Sequence, residues 1–203
     1  TLQKPVSFFD AVVHGSQERI RQLHGYDFAN KATDQELIEH FEKQRASYDP
    51  DKPIPVYEGA ASFGQMVGME AMPMLKGGAA AALAGAATGG LGATVAAAAI
   101  NTPEYYQRGY YAALEETYNQ LRNEGKSPEE ALQVARAQAR DEGKLSAIEG
   151  IVSSAVGARW GMKSLPKPRI TGGFLNATKN AILESGKFLK DITLEGLGEG
   201  LVA

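Results

Sequence analysis

The stretch GGAAAALAGAATGGLGATVAAAAI, residues 77–100, decides the fold class of this chain. It contains twelve Ala, six Gly and only four larger aliphatic residues, and no charged residue lies between Lys76 and Glu104. As a helix these residues would span roughly 36 Å, close to the hydrocarbon thickness of a bilayer. Small residues spaced four apart form a smooth ridge on which a second helix backbone lies close. The predicted ridge consists of Ala81, Gly85, Gly89 and Ala93.

Two interpretations of this stretch stay open at the level of sequence. In the first it enters a membrane through its larger aliphatic side chains, while Lys76 reaches back toward the headgroups. In the second it is a tightly packed helix buried inside a multi-chain assembly, since Ala and Gly gain little from transfer into hydrocarbon. The aliphatic side chains predicted to pack or insert are Leu83, Leu91, Val95 and Ile100.

A cluster of tyrosines follows the Ala/Gly stretch. Amphipathic aromatic rings favour the headgroup layer of a membrane, so the cluster is predicted to be interfacial. The alternative is ordinary helix packing, which the spacing of Tyr106, Tyr110 and Leu114 favours over stacking on single-stranded bases. The predicted interfacial set is Tyr105, Tyr106, Tyr110 and Tyr111.

The pattern of the whole chain predicts an all-α fold with several helices. The Ala/Gly stretch is predicted to form a central hydrophobic helix or a helical hairpin, broken near residues 89–92, in an elongated rather than compact molecule. Sustained alternation of polar and apolar residues between hairpin turns is missing from the sequence, which argues against strands. Thr33, with Glu36 three residues later, predicts a capped helix start.

Glycine and proline residues predict where helices begin and end. A helix over residues 5–24 is predicted to stop at Gly25, and another is predicted to bend or end at Pro73. Thr102, Pro103 and Glu104 together predict the first turn of a new helix.

Composition divides the chain into four segments. They are N-terminal amphipathic helices over 1–48, a Pro-rich linker over 49–57, an Ala/Gly-rich helical region over 58–164, and a basic helical segment over 165–203 that we expect to continue in a longer chain.

The residues that usually carry chemistry do not form a pattern here. With 203 residues and no Cys, the chain has neither a disulfide framework nor a thiolate. The three histidines, His14, His24 and His40, lack the spacing of a metal site or of a catalytic base with its partner. We therefore expect no enzyme activity, no metal and no cofactor.

A basic segment lies near the end of an otherwise acidic chain. Between Arg159 and Lys190 it has seven basic residues and one acid, Glu184. Without interleaved aromatic residues, such a segment predicts sequence-independent attraction to phosphate groups of DNA or lipid. A solvated helix face is the alternative. The candidate phosphate-facing residues are Arg159, Lys163, Lys167, Arg169, Lys179, Lys187 and Lys190.

Several segments resemble the large internal virion proteins of tailed bacteriophages. The resemblance lies in the Ala/Gly helices, the SPEE start at 127–130, the weakly apolar AIEGIVSSAVG run at 147–157 and the LEGLGEGL ending at 194–201. In the short-tailed phages it implies DNA-ejection proteins stored inside the capsid, often on the portal, and expelled to form a conduit through the host envelope. No functional residue can be transferred from this resemblance.

The resulting hypothesis is a fragment of a phage internal or ejection protein that oligomerises through its helices and helps form the conduit for genome delivery. Its expected partners are further copies of the chain, the portal, other internal virion proteins, the host membrane and DNA bound without sequence preference. Its expected location is the virion interior, followed by delivery into the host envelope. Two alternatives remain: a purely structural tape-measure or portal-docked plug that never enters lipid, and a cellular pore-forming or membrane-anchored protein.

Overall fold

The computed structural model describes residues 3–49, 54–88 and 90–161. Five helices dominate this part of the chain, which confirms the all-α prediction. The elements are β1 (Gln3–Pro5), α1 (Phe8–Lys31), α2 (Asp34–Ala46), β2 (Ile54–Val56), α3 (Ala60–Thr88), α4 (Gly90–Asn123) and α5 (Pro128–Gly161).

A short parallel strand pair is the exception that the sequence pattern did not predict. Gln3 pairs with Ile54 and Pro5 with Val56, so three residues near the N-terminus meet part of the Pro-rich segment. Because the pair has only two strands, the missing N–H groups of its prolines can face away from the partner strand. The runs are too short for alternation of side chains to reveal them.

The helix starts and breaks follow the predictions in two places. Thr33 caps α2: its side chain accepts from the Glu36 N–H, and the Glu36 carboxylate accepts from the Thr33 N–H at 2.8 Å. This capping lowers the pKa of Glu36. The Ala/Gly stretch also divides as expected, since α3 ends at Thr88 and α4 begins at Gly90.

Two predicted helix boundaries, at Gly25 and Thr102, were wrong because tertiary packing overrides the local signals. Helix α1 continues through Gly25, where the missing side chain makes room for the Tyr111 ring. At Pro73, which is fully buried, helix α3 does not end, and the bend that was the other possibility there stays a prediction. Helix α4 does not begin at Thr102 but runs through Pro103, and the Thr102 hydroxyl donates to the Ala98 carbonyl at 2.7 Å.

The chain groups into two compact units. Unit 1 contains Thr1–Ala71 and Gln107–Gly143, and unit 2 contains Met72–Tyr106 and Lys144–Ala203. The four compositional segments proposed from the sequence stay a prediction.

Unit 1 has an aromatic and aliphatic core. Phe41 of α2 lies at its centre, with its ring centroid 4.9 Å from that of Tyr118. The core is completed by α1, α4 and α5, which contribute Ala29, Tyr111, Leu114, Ala131, Leu132, Ala135 and Ala139.

Candidate functional site

Unit 2 buries its small residues. Ala81 of α3 contacts Ala97 of α4, and each is 1% exposed. Lys76 pairs with Glu104 farther from the break between the two helices, so α3 and α4 run antiparallel here. Methyl-sized side chains at the contact let two helices approach closely. The other buried alanines of this pair are Ala80, Ala96, Ala98 and Ala99.

Buried polar contacts lie at the end of this helix pair that is farther from the break between α3 and α4. The Asn101 Nδ2 donates to the Pro73 carbonyl at 2.9 Å, and the Lys76 Nζ donates to the Glu104 carboxylate at 3.0 Å. Gly77 leaves space for Asn101, because a Cβ atom at residue 77 would lie 2.6 Å from Nδ2. Asn101 and Glu104 are buried, so these contacts fix the register of the pair.

Helix α5 also approaches α4 through a small residue in unit 2. A Cβ atom at Gly150 would overlap the ring of Tyr105. Ala147, one turn earlier, is buried as well. Small residues thus mediate contacts of α3, α4 and α5 in the described part of this unit.

Six large apolar side chains in the described part of unit 2 are exposed. Met74 is 63% exposed, Leu75 66% and Val95 63%. In a water-soluble domain, large apolar side chains usually supply the core. Exposed side chains of this kind are candidates for contact with a protein or lipid partner. The set is Met72, Met74, Leu75, Val95, Leu145 and Ile148, hereafter the outer apolar set.

The residues predicted to pack or insert are distributed over this arrangement. Ala81 is buried against Ala97, Val95 is exposed and Ile100 is half-buried. Gly89 lies outside the described residues. Others have a described helical backbone but no described side-chain environment: Leu83, Gly85, Leu91 and Ala93.

The four predicted interfacial tyrosines do not form one surface group. Tyr111 is buried in the core of unit 1, and Tyr110 stacks edge-on against Tyr26 with centroids 5.5 Å apart. Burial raises the pKa of both hydroxyls. Tyr105 and Tyr106 are half-buried in unit 2.

The basic candidates lie almost entirely beyond the described part of the chain. Arg159 belongs to α5, but its side-chain environment is not described. The remaining six fall outside the described residues: Lys163, Lys167, Arg169, Lys179, Lys187 and Lys190.

A glycine contact in unit 1 was missed by the sequence analysis. A Cβ atom at Gly64 of α3 would lie 2.6 Å from the Phe8 carbonyl of α1, and one at Gly68 would overlap the Val12 carbonyl. Gly15 of α1 makes the reciprocal contact, because a Cβ atom there would overlap the Gln65 carbonyl of α3. The four-residue spacing of Gly64 and Gly68 was the available signal.

Ion pairs, rather than a reactive cluster, dominate the charged surface of unit 1. Arg21 lies 2.6 Å from Glu115 and 2.7 Å from Glu18, and its hydrogen bonds lower the pKa of Glu18. A groove of about 340 Å³ between α2 and α5 contains the Asp34–Arg136 pair, at 2.6 Å. Within the described residues, no group of His, Asp and Glu side chains is arranged to hold a metal ion.

Two further results bear on function. Among the described residues, no helix combines the length and the apolar character needed to cross a membrane. Comparison with protein-family models, with curated proteins and with solved structures found no match for the chain.

Proposed function

We propose that this chain is an assembly module of a phage internal virion protein, of the kind that short-tailed phages eject with their DNA. It joins further copies of itself and other virion proteins through helix packing, and in the ejected state it contributes to the conduit through the host envelope. The module performs no reaction in this role. Its role is to present helix surfaces that pack against other helices or against lipid.

The outer apolar set is the observation that supports this proposal most strongly. Most of the described buried apolar residues of unit 2 are alanines, and larger side chains such as Met74, Leu75 and Val95 are exposed and available to an external partner. Burying one such side chain contributes roughly 1.5–3 kcal/mol, so several together are sufficient for association. The flexible methionine side chains suit a surface that must adapt to more than one neighbour.

The resemblance to internal virion proteins gives the proposal its biological setting. It rests on the Ala/Gly stretch and on the segments at 127–130 and 147–157. The first and last of these contribute residues to unit 2, where the small side chains mediate helix contacts.

A liposome flotation experiment tests the membrane part of the proposal. The purified chain is mixed with vesicles of phosphatidylcholine and phosphatidylglycerol and centrifuged through a density gradient. We expect the chain to float, and the triple variant Met74→Ser, Leu75→Ser, Val95→Ser to remain at the bottom. Val134→Ser removes an exposed apolar side chain from unit 1 and serves as the matched control, which should float like the unaltered chain.

A structural plug that stays in the particle is the second candidate. The buried Glu104 carboxylate and its Lys76 partner favour it, because ionised groups are costly to carry into hydrocarbon. Failure of the unaltered chain to float, combined with self-association in solution, would select the plug over the conduit.

A further inference from the structure

Two helices of unit 2 each contain an internal proline. Pro73 lies within α3 and Pro103 within α4. Proline has no N–H, so neither residue can donate to the carbonyl four positions earlier, and its ring crowds the preceding turn. Each proline therefore makes a point at which its helix bends at low cost.

Pro73 and Pro103 lie near each other across the antiparallel pair of α3 and α4. Asn101, two residues before Pro103, donates directly to the Pro73 carbonyl at 2.9 Å. The residue after Pro103 is Glu104, which pairs with Lys76 at 3.0 Å. The two prolines are thus linked by direct contacts between α3 and α4.

A side chain of α4 compensates for the backbone contact that Pro73 removes. In unit 1, the Arg108 Nη1 donates to the Met69 carbonyl, at 3.4 Å, which is the carbonyl that Pro73 cannot serve. The same guanidinium holds Glu70 at 3.0 Å. These groups join α3 to α4 within unit 1, and the Asn101 and Lys76 contacts join the two helices within unit 2.

We propose that Pro73 and Pro103 form a shared bending point, and that the Asn101–Pro73 and Lys76–Glu104 contacts are a clasp that holds the helix pair beyond it closed. Among the described side chains beyond the clasp, the two helices meet through alanines such as Ala81 and Ala97, each of which buries little apolar area. We therefore expect the polar contacts of the clasp to contribute strongly to keeping the pair closed. Opening of the pair exposes the alanine faces of α3 and α4 to a new partner. This last step rests on the proposed function.

Native-state hydrogen exchange of the full chain tests this inference. We expect Asn101→Leu and Glu104→Leu each to accelerate exchange of the amides in residues 74–88 and 90–100 by about tenfold, because each removes a buried polar contact. Amides of α2 in unit 1 should change by less than about twofold, since opening is local. Gln120→Leu, a substitution at an exposed position of the same helix, is the matched control and should leave the exchange unchanged.

The double variant Pro73→Ala, Pro103→Ala tests the bending point itself. It restores two backbone donors, so the same amides should exchange about tenfold more slowly. Unchanged exchange in this variant would overturn the proposal. So would clasp variants in which α2 and the helix pair accelerate together, because the pair would then not open as a separate piece. Both readouts are amide exchange rates and not flotation, so a failure of this inference can be distinguished from a failure of the proposed membrane association.

Discussion

Gly68 of α3 lies so close to the Val12 carbonyl of α1 that a side chain at residue 68 would overlap it. The Ser16 hydroxyl of α1 donates to the Gly68 carbonyl at 3.2 Å, so the two backbones are also joined directly. In the chain, β1 directly precedes α1 and β2 directly precedes α3, and the two strands pair in parallel. The contact of α1 with α3 is thus a backbone-to-backbone contact in which glycine is required.

The contact at Gly68 predicts the direction in which Gly68→Ala changes the free energy of unfolding. In an unconstrained helix, Gly→Ala stabilises by roughly 1 kcal/mol through helix propensity. Here the added methyl group collides with backbone, which cannot yield easily, so we expect Gly68→Ala to lower the free energy of unfolding by about 1–3 kcal/mol. Urea denaturation followed by circular dichroism measures this. Gln17→Ala, at an exposed position of α1, is the control, and a stabilised Gly68→Ala protein would refute the contact.

The core of unit 1 predicts a contrast between two phenylalanines. Phe41 is fully buried, whereas Phe9 is 79% exposed. We expect Phe41→Ala to reduce the free energy of unfolding by about 3–5 kcal/mol, because it removes apolar contacts and leaves a cavity. Phe9→Ala should change it by less than about 0.5 kcal/mol. Denaturation midpoints of the two variants provide the test, and equal effects would contradict the assigned core.

His40 predicts a pH dependence of stability. Its ring lies 4.9 Å from that of Phe28, and its Nε2 is 3.4 Å from the Tyr111 hydroxyl. Burial lowers the pKa of His40 and Lys43 lowers it further, while Glu115 opposes the shift. The folded state therefore binds this proton less tightly than the unfolded chain, whose pKa is about 6.5. The contribution favouring folding is present above that pH and is lost as the pH falls through it toward the folded pKa.

Comparison with His40→Gln isolates this effect from other titrating groups. Between pH 7.5 and pH 5.5 (about one unit either side of the unfolded pKa), the urea midpoint of the unaltered chain should fall further than that of the variant. Identical pH profiles would show that His40 is not held in its neutral form by the fold.

The capped start of α2 predicts a smaller loss. Thr33→Ala removes the side-chain acceptor of the Glu36 N–H and should destabilise the protein by about 1 kcal/mol. Thr33→Asp, which keeps an acceptor at the cap, should retain most of the stability. Thermal unfolding of the two variants measures the difference, and equal losses would argue against the cap.

Sequence patterns predicted those features that depend on neighbouring residues. The α2 cap and the break near residue 89 were predictable because their signals are local. The continuation of helices through Gly25, Pro73 and Pro103 was not, because it depends on partners distant in the chain, such as Tyr111 and Asn101. The same reason explains why the Gly64 and Gly68 contact was missed.

The candidate site was predictable only in part. The composition of residues 77–100 indicated close helix packing, and Ala81 does lie against Ala97. The exposure of Met74, Leu75 and Val95 could not be inferred, since an apolar residue in an amphipathic pattern is normally expected to face inward.

Sedimentation equilibrium of the unaltered chain and of the Met74→Ser, Leu75→Ser, Val95→Ser variant tests the central claim most directly. If the outer apolar set is an assembly surface, the unaltered chain will sediment as an oligomer, and the variant as a monomer of 21.6 kDa with the same helix content. A monomeric unaltered chain at every concentration, or a variant that assembles equally well, would contradict the account.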